Sequence, residues 1–565
     1  MICLFSFVGR VGAGGSDSAA TATDHTGHRI QYNPDHMALG TSYGYTAAAS
    51  SAADGNALSP TNASSSSDFD AGFGRSPAFK ALSQALAANH SITNLSVGHN
   101  NLDASAAALI ADALKTNTSI VHLSVAVNKI GSEGTKSICD SLKLNRTLEY
   151  LDLSSNSIFD EGAISVSEML LVNKSITVLD LTNAAIYAEG SRILIQSLKF
   201  NSNLKQLHLA KNYCLSEGAA MMGDVLVQNR TLQKLDLTGN YIYGDGTKEL
   251  ARGLAVNKGL LELHLAANEI SDRGAEALGM ALMKNTTLHT LLIHDNLIGP
   301  LGTEKLAEGL KKNSSLTLLH LCDNPTQLKG AEFIAKALKS NRGLQRLHMA
   351  QNEINAIGLK AFAKSLRQNT TLTELNVSWN RFGVEGAKFI AAIIKDNVSL
   401  KELHLSHNKM IDDGCCSVAE ALATNQTLTF VDLSSNRIKA KGLEVLANLI
   451  VSNNTLLYLN YDQGQSAQQQ GATLPTQTDD NISHVLRRNL RESITKTKTA
   501  VMMAFQPRLG EASPLAKTFE SSSIGDLSVL RLVFDMIYPA NFVQTTSITT
   551  PYGPNASGGH SHGGR

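Results

Sequence analysis

The feature that most constrains this chain is an aliphatic position that recurs every 28 residues with no insertion or deletion. The column consists of Ile92, Ile120, Leu148, Ile176, Leu204, Leu232, Leu260, Leu288, Leu316, Leu344, Leu372, Leu400, Leu428 and Leu456. A fixed period of this length is typical of repeat proteins, in which each unit buries its apolar face only by stacking on its neighbours. The sequence therefore predicts a solenoid rather than several unlike domains.

Each row of 28 residues combines a strand pattern with a helix pattern. The strand half reads L-x-x-L-x-L-x-x-N-x-I, as between Leu148 and Ile158. In the helix half, aliphatic residues four places apart, such as Leu250 and Leu254, share one face. An asparagine closes every row, and we expect it to adopt the left-handed conformation that often ends a helix.

This combination of strand, asparagine-bearing turn and helix resembles the ribonuclease-inhibitor type of leucine-rich repeat, from about residue 78 to 462. That repeat type occurs in ribonuclease inhibitor, NOD-like immune receptors, Ran GTPase-activating protein and leucine-rich subunits of ciliary axonemes. The resemblance implies an α/β solenoid shaped like a horseshoe. Because strands pack about 4.8 Å apart and helices roughly 8 to 10 Å apart, the parallel sheet is expected on the concave face and the helices on the convex face.

The flanking segments lack the period. Residues 1–76 are rich in Ala, Ser, Gly and Thr, which predicts a disordered arm before a solenoid at residues 77–462. Residues 463–565 are expected to form a linker and a tail with short helices. An amphipathic basic helix beginning near Asp480 either docks on the end of the solenoid or binds a partner. The apolar segment Ile524–Tyr538 should be buried, most simply by covering the last repeat.

Composition excludes several classes of function. Lys plus Arg and Asp plus Glu number 49 each, so the charge gives no reason to expect nucleic acid as a partner. The chain contains no phosphate-binding G-x-x-x-x-G-K-[ST] motif and no uncharged apolar span of about 18 residues for an integral membrane segment. Its six cysteines show neither metal-ligand spacing nor disulfide density, which favours reduced thiols in a cytoplasmic protein.

Candidate binding residues come from the position between the two inward-pointing leucines of each strand. This middle strand position is mostly polar, which predicts a sheet face left open for a protein partner. The candidates in this column are Asp152, Asp180, His208, Asp236, His264, His320, His348, His404 and Asp432. Trp379 and His407 are added from the loop that follows the strand. Trp379 is expected either to anchor an interface or to pack against its own scaffold.

The histidines of this column allow two interpretations. They could form a stripe whose charge changes near neutral pH, or L-H-L could simply be a strand sequence that this repeat tolerates. No metal site is expected, because adjacent rows rarely supply the three or four converging ligands that zinc requires. We also expect no catalytic residues and no cofactor.

The sequence as a whole predicts a protein-protein interaction scaffold that is not an enzyme. One alternative is a GTPase-activating protein resembling the Ran GTPase activator, although the residues after Asn460 lack the acidic run associated with that family. The other alternative is a structural component of a cilium or flagellum. The expected location is the cytoplasm, including its cytoskeleton, and the partner is a protein.

Overall fold

Short strands and helices alternate along the chain. The computed structural model describes residues 22–23, 29–30, 77–461 and 476–505. These belong to two compact units, Met1–Ile186 and Tyr187–Arg565. The apolar segment Ile524–Tyr538 lies outside the described residues. The predicted α/β repeat fold, with parallel strands separated by helices, is confirmed.

The first unit contains a two-residue antiparallel pair followed by four parallel repeat strands. Its described elements are β1 (Ala22–Thr23), β2 (Arg29–Ile30), α1 (Pro77–Ala88), β3 (Asn94–Ser96), α2 (Ala104–Leu114), β4 (His122–Ser124), α3 (Gly131–Leu142), β5 (Tyr150–Asp152), α4 (Phe159–Val172) and β6 (Val178–Asp180). Repeat strands pair residue by residue at the period, so that Leu95 lies opposite Leu123.

The second unit continues the same alternation with ten described parallel strands. Its elements are α5 (Ala188–Ser197), β7 (Gln206–His208), α6 (Leu215–Gln228), β8 (Lys234–Asp236), α7 (Tyr243–Leu254), β9 (Glu262–His264), α8 (Ser271–Leu282), β10 (Thr290–Leu292), α9 (Pro300–Lys312), β11 (Leu318–His320), α10 (Gln327–Leu338), β12 (Arg346–His348), α11 (Ala356–Leu366), β13 (Glu374–Asn376), α12 (Gly383–Asp396), β14 (Glu402–His404), α13 (Ile411–Thr424), β15 (Phe430–Asp432), α14 (Ala440–Ile450), β16 (Tyr458–Asn460) and α15 (Thr476–Phe505).

The core is built from the aliphatic columns that define the period. Leu263, Leu278 and Leu288, which stand for the strand, helix and pre-strand columns, are fully buried. Some helices approach so closely that only glycine fits between them. A Cβ atom on Gly253 would collide with the carbonyl oxygen of Gly223 on the neighbouring helix. Small residues on the helices therefore set the spacing between these repeats.

An asparagine that is buried in most rows follows the strands and ties consecutive repeats together, and Ala184 takes its place after β6. Asn268 donates from Nδ2 to the carbonyl oxygens of Leu237 (2.8 Å) and Ala266 (3.0 Å). Its Oδ1 accepts from the backbone N–H groups of Asn240 (2.8 Å) and Ile242 (3.3 Å). This side chain therefore satisfies backbone groups in the turn, since buried backbone polar groups need partners.

The asparagines that close the rows also bridge repeats, but the left-handed conformation expected for them is wrong. Asn313 is extended, with φ −78° and ψ 137°. Its Nδ2 donates to the carbonyl oxygens of Leu282 and Asn285, both at 2.9 Å, and its Oδ1 accepts from the N–H groups of Ser315 and Leu316. The extended backbone is required because the side chain must bond to the two residues that lead into the next strand.

The long helix α15 packs on the last repeat, which decides between the two placements expected for the helix near Asp480. Ile482 and Val485 are buried, and Tyr461 donates to Asp479 at 3.1 Å. Asn489 donates to the carbonyl oxygens of Asn453 (3.1 Å) and Leu456 (2.9 Å).

The bond from Asn489 to Asn453 reproduces the one that a further closing asparagine would make. In the preceding row, Asn453 donates to the carbonyl oxygen of Asn425 in the same way, at 3.0 Å. The helix α15 therefore ends the series of closing asparagines and caps the repeats.

Candidate functional site

The candidate site is the strand face opposite the core, which carries two columns of side chains per strand. The first and third residues of each three-residue strand point to this face because side chains alternate along a strand, and the aliphatic residue between them is buried. The third residue is the one that the sequence pattern places in the middle, between its two leucines. In β9, Glu262 and His264 are half-buried on this face while Leu263 is fully buried. Asp152 and Asp180 occupy the same strand position as His264 but lie in the first unit. The remaining candidates lie in the second unit.

The aspartates of the column have a structural task that the sequence does not reveal. Asp152 accepts from the backbone N–H of Ser154 at 3.0 Å, and Asp180 accepts from that of Thr182 at 2.8 Å. Asp432 bonds to Ser434 in the same way and is only 8% exposed. These carboxylates hold the backbone where the strand ends.

Histidine and carboxylate side chains form a first cluster on β7, β8 and β9. The Asp236 Oδ2 atom lies 3.6 Å from His264 Nδ1 and 4.0 Å from His208 Nδ1. Burial alone would raise the pKa of Asp236, but the interactions with His208 and His264 outweigh it and hold this pKa far below its usual range. Asp236 therefore stays ionised between the two imidazoles.

A second cluster on β12, β13 and β14 consists of His348, Glu374, Glu402 and His404. Its two glutamates are the first residues of their strands. Glu374 Oε1 lies 2.6 Å from His348 Nε2 and 3.9 Å from His404 Nε2. Glu402 stands opposite Glu374 in the parallel register. Burial, and next the charge of Glu374, raises the pKa of Glu402. Sequence reasoning missed both glutamates because it read only the middle strand position.

Between the two clusters lies a contact between neutral imidazoles. The rings of His294 and His320 are 4.2 Å apart between centroids, and His320 meets His348 at 5.2 Å. Burial, followed by the neighbouring histidines, lowers the pKa of His320 to about 2 and that of His294 to about 4. A stripe that titrates near neutral pH is therefore wrong for His320, which stays neutral because a charge there would be poorly solvated.

Aromatic side chains extend the face toward its C-terminal end. Trp379 stacks on His407 with ring centroids 3.6 Å apart and an interplanar angle of 9°, and both are half-buried. Phe430 stacks on Tyr458 at 4.9 Å, and Tyr458 is 53% exposed. Trp379 therefore packs on its own scaffold and still presents surface to solvent. Such amphipathic rings are the side chains most often found as interface anchors.

A further set of aromatic residues lies at the loops after the strands. Tyr187 stacks on Tyr213 at 4.9 Å, and Tyr213 stacks on Tyr241 at 5.9 Å, with interplanar angles of 10° or less. Each of the three is between 42% and 49% exposed. Tyr213 and Tyr241 are one period apart, so reading this loop column would have found the pair.

Comparison with known proteins agrees with this architecture. A model described as leucine-rich repeat matches residues 116–139, 144–167, 228–251, 256–279, 340–363, 368–391, 396–418 and 424–447. The chain is therefore a leucine-rich-repeat protein, as the resemblance implied. No curated protein matches the sequence as a relative.

Solved structures resemble the chain at low sequence identity. A crystal structure of the Rad7 and Elc1 complex in yeast matches with 16% identity over 71% of this chain and 92% of that chain, with a TM-score of 0.40. An internalin from Listeria monocytogenes matches with 18% identity over 62% of this chain and 89% of that one, with a TM-score of 0.39. The actin-binding site 2 of leiomodin-1 matches with 22% identity over 32% and 99% of the two chains, with a TM-score of 0.28.

Among the described residues, no helix combines the length and apolar character that crossing a membrane demands.

Proposed function

We propose that this protein is a non-enzymatic cytoplasmic scaffold that binds a partner protein on the strand face of its second unit. The observation that supports the proposal is the composition of that face along β7–β16. Half-buried charged and aromatic side chains stand there on rigid strands, while the opposite side of each strand is sealed in the core. A rigid surface binds with a small entropy cost because little has to be ordered on association.

The aromatic end of the face is the part we expect to contribute most to affinity. Trp379 and Tyr458 each rest on a neighbouring ring, on His407 and Phe430 respectively, and remain partly exposed. Stacked rings lose little side-chain entropy on binding, and aromatic anchors dominate many interfaces. The charged clusters further along the face would then select the partner by complementary charge.

The test is to identify partners by proximity labelling in the native cell and to measure their affinities with purified proteins. Trp379→Ala combined with Tyr458→Ala is expected to weaken binding roughly 10-fold or more. The matched control is Ile357→Ala, since Ile357 is 58% exposed on helix α11 and Tyr458 is 53% exposed on the strand face. Equal affinity for the double variant, or loss only in the control, would refute the proposed face.

Two further measurements address the alternative functions. A pure scaffold leaves GTP hydrolysis by small GTPases unchanged, so an acceleration by the purified chain would replace the proposal with a GTPase activator. Imaging a tagged copy in ciliated cells tests a structural role in a cilium or flagellum. Uniform cytoplasmic signal supports the scaffold, and restriction to the axoneme supports the structural role.

A further inference from the structure

One group of side chains on the strand face has the geometry of a metal site. The potential ligand atoms of Glu374, Glu402 and His404 all lie within 4.8 Å of one another, and theirs is the only such group of three or more among the residues that the structure describes. Glu374 and Glu402 stand side by side on β13 and β14, and His404 follows Glu402 on the same face two residues later. Two adjacent repeats thus supply three converging ligands.

The charges of this group are only partly balanced, because Glu374 contacts His348 at 2.6 Å and His404 at 3.9 Å while Glu402 has no such partner among the described residues. Two carboxylates lie next to each other, and in the described part of the chain Glu402 forms no ion pair within 4.0 Å. Arg346 precedes Glu374 in the register across the strands but is not in ion-pairing contact with either glutamate. Adjacent, partly desolvated carboxylates repel each other unless a cation lies between them. A bound cation would remove this repulsion.

We propose that Glu374, Glu402 and His404 form a binding site for a divalent transition-metal ion, with Zn²⁺ as the probe ion. An imidazole nitrogen with carboxylate oxygens suits zinc and its neighbours, whereas Ca²⁺ and Mg²⁺ prefer oxygen ligands alone. Three protein ligands on an exposed face leave a position for water or for a ligand from a bound protein. This proposal departs from the sequence-based expectation that no metal is bound.

His348 would support the site from the neighbouring strand. Its Nε2 atom lies 2.6 Å from Glu374 Oε1, so it orients that carboxylate toward its neighbours. Partners of this kind fix the ligand geometry of metal sites, and their loss commonly lowers metal affinity 10- to 100-fold. The backbone positions are fixed as well, because all four residues lie on paired strands.

The other charged cluster of the face provides a matched control. There His264 Nε2 lies 3.8 Å from Glu262 Oε2, and Glu262 occupies the same strand position as Glu402, five repeats earlier. Although it has similar residue types, this cluster does not place three ligand atoms within 4.8 Å of one another, as Glu374, Glu402 and His404 do. Glu262→Gln therefore changes the same chemistry at the same register position without touching the proposed site.

The experiment is a titration of the full-length chain with Zn²⁺ by calorimetry, together with Co²⁺ binding followed by its visible absorption. We expect Glu402→Gln and His404→Gln each to lower affinity about 10-fold or more and to abolish the Co²⁺ spectrum, whereas Glu262→Gln keeps both. Glu402→Gln also removes a like-charge contact, so its metal-free thermal midpoint should equal or exceed that of the parent.

Unchanged Zn²⁺ affinity in Glu402→Gln and His404→Gln, with a folded protein, would overturn the proposal. So would loss of binding in Glu262→Gln alone. The assay contains no partner protein, so its outcome is independent of whether the strand face binds one.

Discussion

Replacing one asparagine of the column that follows the strands, hereafter the asparagine ladder, tests how the repeats are held together. Asn268→Ala removes a fully buried side chain that makes four hydrogen bonds to backbone groups. The carbonyl oxygen of Ala266 keeps a bond, because Gly239 donates to it at 2.8 Å. Three backbone groups lose their hydrogen bond to this side chain, namely the N–H groups of Asn240 and Ile242 and the carbonyl oxygen of Leu237.

The cost follows from those three orphaned groups. A buried backbone group without a partner costs about 1 to 3 kcal/mol, and some water can enter a turn near the surface. We therefore expect Asn268→Ala to lower the free energy of unfolding by about 4 kcal/mol. A change of this size exceeds the effect of most single substitutions.

The matched control is Asn100→Ala at the start of the ladder. Asn100 is half-buried and donates to the carbonyl oxygens of Val97 (3.0 Å) and Gly98 (2.7 Å) of its own repeat. In the described structure, its side-chain oxygen accepts no bond from a neighbouring repeat. Its loss should cost about 1 kcal/mol, because the orphaned groups can bond to water.

Urea unfolding gives the two free energies, and hydrogen–deuterium exchange locates the damage. Exchange should accelerate in peptides spanning residues 237–242 in Asn268→Ala and stay unchanged there in Asn100→Ala. Exchange is needed because repeat arrays can open locally and depart from two-state unfolding. Equal costs for the two variants, or protection of residues 237–242 in Asn268→Ala, would refute the ladder as the link between repeats.

Three further predictions concern stability. Burial, and next the charge of Asp295, raises the pKa of Asp323 to about 6. The protonated carboxyl therefore favours the folded state, and this contribution to stability is lost as the pH rises from about 4 to 6. Asp323→Asn should therefore stabilise the protein by about 1 kcal/mol at pH 7.5, after allowance for solvent screening, and make no difference below about pH 4, as thermal unfolding across pH will show. Gly253→Ala should lower the thermal midpoint by several degrees, because the new Cβ collides with the carbonyl oxygen of Gly223; an unchanged midpoint would mean that the helices can separate at little cost. Asn489→Ala should expose helix α15 to limited proteolysis while the central repeats resist, and a protected helix would show that apolar contacts alone hold the cap.

The sequence predicts the repeat fold well because burial acts on every row in the same way. Leu263 and Leu278 occupy columns that must be apolar, and the structure buries both completely. The loop that follows each strand is less predictable. In thirteen consecutive rows, the second residue of this loop pattern, which precedes an asparagine in twelve rows and Ala184 in one, has a φ between 53° and 64°, and only Gly239 is a glycine. The residue types of Val127 and Trp379 do not indicate this left-handed conformation.

The left-handed loop residue is imposed by neighbouring repeats rather than by its own preference. The N–H of Trp379 donates to the carbonyl oxygen of Ser406 at 2.9 Å, and that of His407 donates to Ser434 at 3.1 Å. These bonds offset the strain of a positive φ in a bulky residue. Because they join residues 27 positions apart, a local reading of the sequence does not reveal them.

The candidate site was predicted in part, and the reason lies in the alternation of side chains along a strand. The middle-position histidines His348 and His404 lie on the strand face as expected. Glu374 and Glu402 share that face because the first and third residues of a strand point the same way. Reading both columns together would have placed the two glutamates beside the histidines, whereas the distances between them depend on rotamers that the sequence does not specify.

The strand face contains two kinds of polar residue, and the difference determines where specificity can change. Asp152 and Asp432 accept from backbone N–H groups two residues later, so replacing them affects the turn that ends the strand. Within the described residues, the polar contacts of His264 and Glu374 are with other side chains of the face. Substitution of the second kind changes charge and metal affinity but leaves the backbone bonds that stack the repeats intact. New binding specificity can therefore arise at the histidines and glutamates without cost to the fold, which is why the aspartates are the weaker candidates for partner contacts.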